Sequence, residues 1–337
     1  MSAVRQHRAP VAGMRAGLAL AVAVAAAFAV HVSVGDFPIP LRDVVPAILG
    51  SGDDGTVFVA HELRLPRALV ALLVGAAFGI SGAILQAVAR NPLASPDILG
   101  IMEGASAAAV FAITVTNGGF VTVAAAAFLG ALTISAAIYV LAYRQGVSSY
   151  RFVLVGIGLG GAATAITLYL VAEATLFEAS AAVVWLTGSL NAVGWETVVP
   201  LAIVVAVLVP AALVLMHRLR ALQLGDDLAA GLGVRVEPSR LLLLLVAVAL
   251  AGVGTAAAGP IAFVAFLAPP IARRLVGAPL TLVPAALTGA LLVLAADVVG
   301  RRLFAPTEVP VGIFTGLCGA PYFLYLLARA NRSGAGG

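Results

Sequence analysis

The chain has 337 residues, 62% of them hydrophobic and only 10% charged, with a mean hydropathy of +1.11. A soluble globule carries about 45–50% apolar residues, so the composition excludes one and describes a polytopic membrane protein. All nineteen basic residues are arginines; a P-loop ATPase needs its lysine, so this chain is not its own motor, and a pI near 9.7 reflects loop arginines that set topology, with no nucleic-acid site.

Arg5, Arg8 and Arg15 precede an apolar run over residues 16–34. A signal peptide starts similarly, but this run is long for one and reads as a first span. Residues 35–63 form a polar loop with four aspartates. Pro66, between Arg64 and Arg67, sits where a helix start loses no hydrogen bond. The chargeless stretch 68–89 then supplies the ~20 apolar residues that a bilayer core requires. This second span, over about 65–89, carries Gly75, Gly79, Ser81 and Gly82, small residues that let helix backbones approach. Arg90-Asn91-Pro92 ends it, and Ser95-Pro96-Asp97 predicts an N-cap, a first-turn proline and an acid opening a third span over about 97–116. The fourth span covers 120–142, a basic connection 143–151, and the fifth span about 152–173. AAVVWLTGSLN, between Glu173 and Glu196, is too short to cross and predicts a surface half-helix with Trp185 and Trp195 at the interface. The remaining spans fall at about 197–216, 239–257, 260–276, 280–299 and 310–328, which gives about ten.

With the N-terminus inside, fourteen arginines fall on the inner side and five on the outer: Arg42, Arg64, Arg67, Arg301 and Arg302. That bias, with an even number of spans, places both termini in the cytoplasm. The outer arginines suit either headgroup anchors or a docking surface for an acidic partner, and Asp297 could orient Arg301 by an i,i+4 pair.

The longest polar connection on the inner side is 217–240. Gly225-Asp226-Asp227 followed by Leu228, Ala229 and Leu232 predicts a short amphipathic helix with acids in its first turn, ended by Gly233 in a left-handed cap. Adjacent aspartates would be repelled by an anionic leaflet, so a protein partner fits better than a lipid surface. Glu103, well inside span three, is costly against lipid and suits a pathway-facing or water-exposed position, or pairing with an arginine. Cys318 reads as a small core residue, and one cysteine gives no disulfide framework or cysteine metal site. The four histidines offer no ligand spacing, so no metal site follows. Pro260, Pro269, Pro270, Pro310 and Pro321 predict kinks or breaks.

RLPR, GAAFGISGAILQAVARNPLASPDILGIMEGAS, WLTGSL, LGDDLAAGLGV, GPIAFVAFLAPPIARRL, ADVVGR and EVPVGIFTGLCGAPYFLYLL, in this order and spacing, resemble the FecCD-type permeases, membrane subunits of binding-protein-dependent ABC importers for ferric siderophores, haem and cobalamin. The eighth-span motif departs from the family pattern, with Ala265-Phe266 and Pro270 where Gly-Leu and His are common.

The resemblance implies an all-α fold that is one transmembrane permease domain over 1–337, with the cytoplasmic coupling loop 217–240 inside it and spans 2–5 and 7–10 as inverted copies. It implies that Arg64, Arg67 and Arg301 receive glutamates of an extracytoplasmic substrate-binding protein. Leu224, Gly225, Asp226, Asp227, Leu228, Ala229, Leu232 and Gly233 would dock on an ATPase subunit. Asn91 and Leu93 match one cytoplasmic gate, and Ser149 with Tyr150 falls at a second, with Glu103 a further pathway candidate. Expected partners are a second permease copy or close relative, two ATP-binding subunits, the binding protein and membrane lipid. No cofactor is expected on this chain, since ATP is used by the partner, and the expected location is the cytoplasmic membrane of a bacterium. The function implied is import of a ferric siderophore. Cobalamin or haem is the alternative cargo within the family, and an ion-coupled carrier the alternative from another class, although such a carrier would normally place ionisable groups mid-membrane.

Overall fold

The structure, a computed structural model, describes residues 8–143, 149–191, 193–278, 280–303 and 307–334. Its axis is α4 (Leu65–Val88), buried over most of its length. Before it come α1 (Arg8–Ser33), α2 (Leu41–Ile48), α3 (Asp54–Phe58) and a π-helical turn, Val59–Arg64, that runs into α4 without a break. The segment expected to be a polar loop is therefore largely helical. After it come α5 (Ile101–Thr114), α6 (Phe120–Ala142), α7 (Ser149–Glu173), α8 (Leu176–Leu186) and α9 (Trp195–Val214). The short helices α10 (Met216–Gln223) and α11 (Asp226–Gly231) lead to α12 (Val236–Ala258), α13 (Val264–Val276), α14 (Leu282–Arg302) and α15 (Val311–Gly334). Seven of the described helices are long and apolar enough to cross a bilayer; the expected third and tenth spans are represented by the shorter apolar helices 101–114 and 311–325, and the eighth by the 13-residue helix 264–276.

Lipid supplies no hydrophobic drive between helices, so packing falls to small residues. A Cβ built on Gly79 would lie 2.1 Å from Ala285 O, one on Gly289 would lie 2.0 Å from Gly75 O, and one on Gly82 would lie 1.8 Å from Ala265 O. Glycine is thus obligatory where α4 meets α14 and α13. Ser81 Oγ donates to Ala247 O at 2.7 Å and ties α4 to α12. The outer helices α6, α7 and α9 instead expose Leu129, Val140, Ile157, Ile166, Ile203 and Val207.

The start of the third span differs from expectation. Ser95, Pro96 and Asp97 do not cap α5; residues 95–101 are turns closed by Leu99 N–H to Ser95 O and Ile101 N–H to Pro96 O. The helix begins after Gly100, whose φ of +77° is left-handed and whose Cα packs on Gly156 and Gly160 of α7. Asp97 is occupied elsewhere: its Oδ2 accepts from Phe263 N–H at 3.1 Å. Phe263 is itself left-handed, with φ +65°, and opens α13. The turn before α5 thus bonds to the residue that opens α13, and each of these short helices follows a left-handed residue.

The prolines of α13 explain the departure at residue 270. Pro270 has no N–H for Phe266 O, and the Gln86 carboxamide fills that place, donating to Phe266 O at 3.1 Å while accepting from Arg273 Nη2 at 3.1 Å. The half-helix α8 carries a capping box of Thr175 and Glu178. Its end is tied to α12 and α15 by Ser189 N–H to Ala258 O at 2.8 Å and Gly312 N–H to Gly188 O at 3.0 Å. Trp195, expected at the lipid interface, donates its indole N–H to His61 O at 3.2 Å. Cys318, expected in the core, is exposed, because α15 packs through neighbouring Gly319, whose Cβ would strike the Phe263 ring.

Replacing Gly79 by valine is expected to force α4 and α14 apart at a cost of at least the ~1–3 kcal/mol of an overpacked core. Gly17→Val, where a Cβ meets nothing within 4 Å, is the matched control. Thermal unfolding of the two variants in detergent should separate them, and equal melting temperatures would contradict the packing account.

Candidate functional site

Arg64 and Arg90 flank α4 at its two ends, and the helix is about 36 Å long at 1.5 Å per residue over its 24 residues. Each end carries a charged cluster.

At the Arg64 end, Asp297 of α14 is 2% exposed and surrounded by cations. Arg67 approaches it in a fork, Nε to Oδ2 and Nη2 to Oδ1, both at 3.0 Å. Arg301 Nε lies 3.1 Å from Oδ2 as the i,i+4 partner. His31 of α1 holds Oδ2 at 2.8 Å through Nε2; facing a carboxylate, that nitrogen is the donor. Arg67 also reaches Glu308 at 3.1 Å. One carboxylate thus joins α1, α4 and α14.

Arg64 does not present an outward guanidinium. It is 7% exposed and donates to Val32 O and Ser33 O, each at 2.8 Å, and to Phe37 O. These carbonyls lie at and just beyond the end of α1, whose last turn has unsatisfied acceptors and a partial negative charge. Gly35 makes room, since a Cβ there would lie 2.0 Å from Arg64 Nη2. Arg301 lies 3.4 Å from Val34 O and from His31 O. Of the arginines expected on a free outer rim, Arg64 is internal and Arg67 and Arg301 are mostly so. Arg302, 3.4 Å from the fully exposed Asp36, and Arg42 keep the most open guanidinium groups.

At the Arg90 end the expected short helix is present as α11, with Asp226 and Asp227 in its first turn and Gly233 at φ +80° beyond it. Leu228 and Leu232 are 61% and 66% exposed, Leu224 is exposed as well, and Ala229 is buried. Asp226 is held from two sides, by Arg90 Nη2 at 2.5 Å and by Arg240 Nη2 at 2.8 Å. Partial burial pushes its carboxyl up, but the hydrogen bond and charge of Arg240, then Arg90, outweigh that and leave it below the usual carboxylate range. The group therefore stays ionised above its unfolded value, and the tie is lost only as pH falls through the lowered one.

Asn91 and Leu93 belong to the turn that follows α4. Asn91 Oδ1 accepts from Leu93 N–H at 3.0 Å, Asn91 N–H donates to Gln86 O and Ala94 N–H to Asn91 O, both at 3.1 Å. A polar cavity of about 290 Å³ beside this turn is lined by Gln86, Arg90, Asn91, Gln223 and Arg273. Tyr150 is exposed on the first turn of α7; the Ser149 side chain lies outside the described residues. Glu103 stands in the first turn of α5, half-buried and with Oε2 unpartnered. Among the described residues no cluster of metal-ligating side chains occurs.

Sequence reasoning missed His31, Glu308, Arg90 and Arg240. Their partners lie between 14 and 266 positions away in the chain, beyond any local periodicity.

The profile of the FecCD transport family matches residues 18–329. The chain belongs to this family. The permease protein of the ferric enterobactin transport system of Escherichia coli is 42% identical over 299 residues, covering 88% of this chain and 91% of its own. That of the achromobactin transport system of Dickeya dadantii is 43% identical over 319 residues, covering 94% and 91%. A solved inward-facing structure described as a metal-chelate type ABC transporter superposes with a TM-score of 0.83 at 28% identity, over 93% of this chain and 98% of that one. The FecCD match thus takes in both charged ends and every long helix between them.

Asp297→Asn would leave buried cations without their counter-charge, a change worth about 3–5 kcal/mol. Glu308→Gln removes only a half-exposed partner and should cost no more than about 1 kcal/mol. Melting curves of both variants in detergent check the contrast; a small effect of Asp297→Asn would mean the cluster does not hold α1 to the bundle.

Proposed function

We propose that this chain is the permease subunit of an ATP-driven importer of ferric siderophores in a bacterial cytoplasmic membrane, a transport subunit and not itself an enzyme. The observation that carries this reading is identity above 40% over nearly the whole chain to permeases of ferric enterobactin and achromobactin transport systems. Two permease subunits, identical or closely related, enclose the path, with both termini in the cytoplasm as the arginine bias requires. The whole chain acts as one permease domain, and a substrate-binding protein delivers the chelate at the Arg64 end. ATP is bound and hydrolysed by two separate subunits at the Arg90 end, and this chain needs no cofactor.

The exposed Leu228 and Leu232 beside the acidic first turn of α11 suit a groove on such a subunit, with residues 224–233 as the contact. Asn91 and Leu93, with Ser149 and Tyr150, are the constriction on the cytoplasmic side, and Glu103 lines the path above it. At the other end the acids of the binding protein meet Arg67, Arg301 and the more open Arg302, displacing Glu308 and Asp36. Arg64 supports this rim from beneath by holding the end of α1, in place of a direct contact.

Reconstituted with its ATPase and binding protein, the permease should accumulate iron chelate in proteoliposomes only when ATP is supplied. Accumulation driven by an ion gradient with no ATPase present would replace this reading with a secondary carrier. Leu228→Asp and Leu232→Asp are each expected to abolish co-purification of the ATPase subunit, and its retention by both would remove α11 as the contact.

The two rim arginines should also separate. Arg302→Glu, at an open guanidinium, is expected to weaken binding-protein docking by about tenfold or more with folding intact, whereas Arg64→Glu should reduce the yield of folded permease. Folded Arg64→Glu protein with docking lost would restore Arg64 as a direct contact.

A further inference from the structure

We propose that the Asp226 carboxylate, held between Arg90 and Arg240, is the link through which movement of α11 displaces the 90–94 turn, and that Arg90 is a positioning residue for that turn. This rests on the reading of α11 as the ATPase contact.

Both carboxylate oxygens are used. Oδ1 takes Arg90 Nη2 at 2.5 Å and Oδ2 takes Arg240 Nη2 at 2.8 Å. Arg240 is buried in α12 and fixed by Glu237 of the same helix. Asp226 opens α11, so the helix cannot shift without carrying this charge against α12 on one side and the turn on the other.

Arg90 is built for that contact. Its φ of +49° lies in the left-handed region, rare for a side chain other than glycine, asparagine or aspartate. The same Nη2 that holds Asp226 also donates to Leu222 O at 2.9 Å, in the last turn of α10. One guanidinium therefore clamps both sides of the α10–α11 connection to the end of α4. Strained backbone of this kind persists where its surroundings over-determine it. Here the determinants are the two bonds to α10 and α11 together with the Asn91 N–H bond to Gln86 O.

The turn that Arg90 begins is itself stiff. Asn91 caps Leu93 N–H through its side chain and Ala94 N–H through its carbonyl, so residues 91–94 move as a unit. Leu228 and Leu232, exposed for the ATPase, lie two and six residues beyond Asp226. Force applied to the leucines is delivered through a charge-assisted bond, whose partner is the first residue of the turn.

The test is the amount of iron accumulated per ATP hydrolysed in proteoliposomes holding the full complex. Radioiron-labelled catecholate, hydroxamate and citrate chelates serve as probes, and whichever the unaltered protein takes up is used. Arg90→Ala is expected to keep the ATPase subunit bound and hydrolysing while this ratio falls by about tenfold or more. A Cys318→Ser background allows Arg90→Cys with Asp226→Cys, and bridging that pair with a short bifunctional thiol reagent should restore the ratio. A bridged pair that stays uncoupled overturns the proposal, as does an unchanged ratio in Arg90→Ala. If Arg90→Ala fails to assemble, Arg90→Gln is measured in the same way. An assembled Arg90→Gln complex with an unchanged ratio overturns the link, and failure of both variants to assemble overturns it by making Arg90 a folding residue. Absence of ATP-dependent uptake by the unaltered protein would instead count against the importer reading itself.

Discussion

Close contact between backbones along α4 is the constraint on which the rest of the molecule depends. Within an apolar bundle a leucine against a leucine gains nothing over a leucine against lipid, so association relies on dispersion and on polar groups that find partners. Glycines at 75, 79 and 82 remove the side chains that would hold α13 and α14 away. The backbone of α4 then lies near enough for Ser81 and Gln86 to bond carbonyls of two neighbours. The outer helices α6, α7 and α9 leave apolar faces open.

The two charged clusters lie at the ends of α4, and each is organised by one carboxylate. Asp297 gathers cations from α1, α4 and α14; Asp226 gathers them from α4 and α12. The two differ in burial, and therefore in consequence. Asp297 is enclosed and binds its partners into a fixed frame, whereas Asp226 is half open on a short helix and binds a part that can travel. In the proposed function the enclosed carboxylate serves as a frame and the half-open one as a lever.

Much of this was legible in the sequence for physical reasons. Chargeless runs mark spans because a charge in lipid is expensive. The aspartate pair ahead of Leu228 and the glycine at 233 marked a capped helix, and the four-residue step from Asp297 to Arg301 marked an ion pair, because these relations are local. Ser95-Pro96-Asp97 misled for the opposite reason: it has every local mark of a helix start, yet a distant N–H at Phe263 takes the carboxylate. Arg64 misled in the same way, since nothing near it in the chain shows that the end of α1 needs donors. Pro270 became intelligible only once Gln86 was seen to occupy the place of the missing N–H.

The bond from Asp97 to Phe263 also bears on how the chain is made. Its partners are 166 residues apart, so at ribosomal rates of about 5–20 residues per second the donor emerges on the order of ten to thirty seconds after the acceptor. During that interval Asp97 lacks its Phe263 partner and the seat for α13 is vacant. Formation of this contact is therefore sequential, the later half of the chain completing the earlier one.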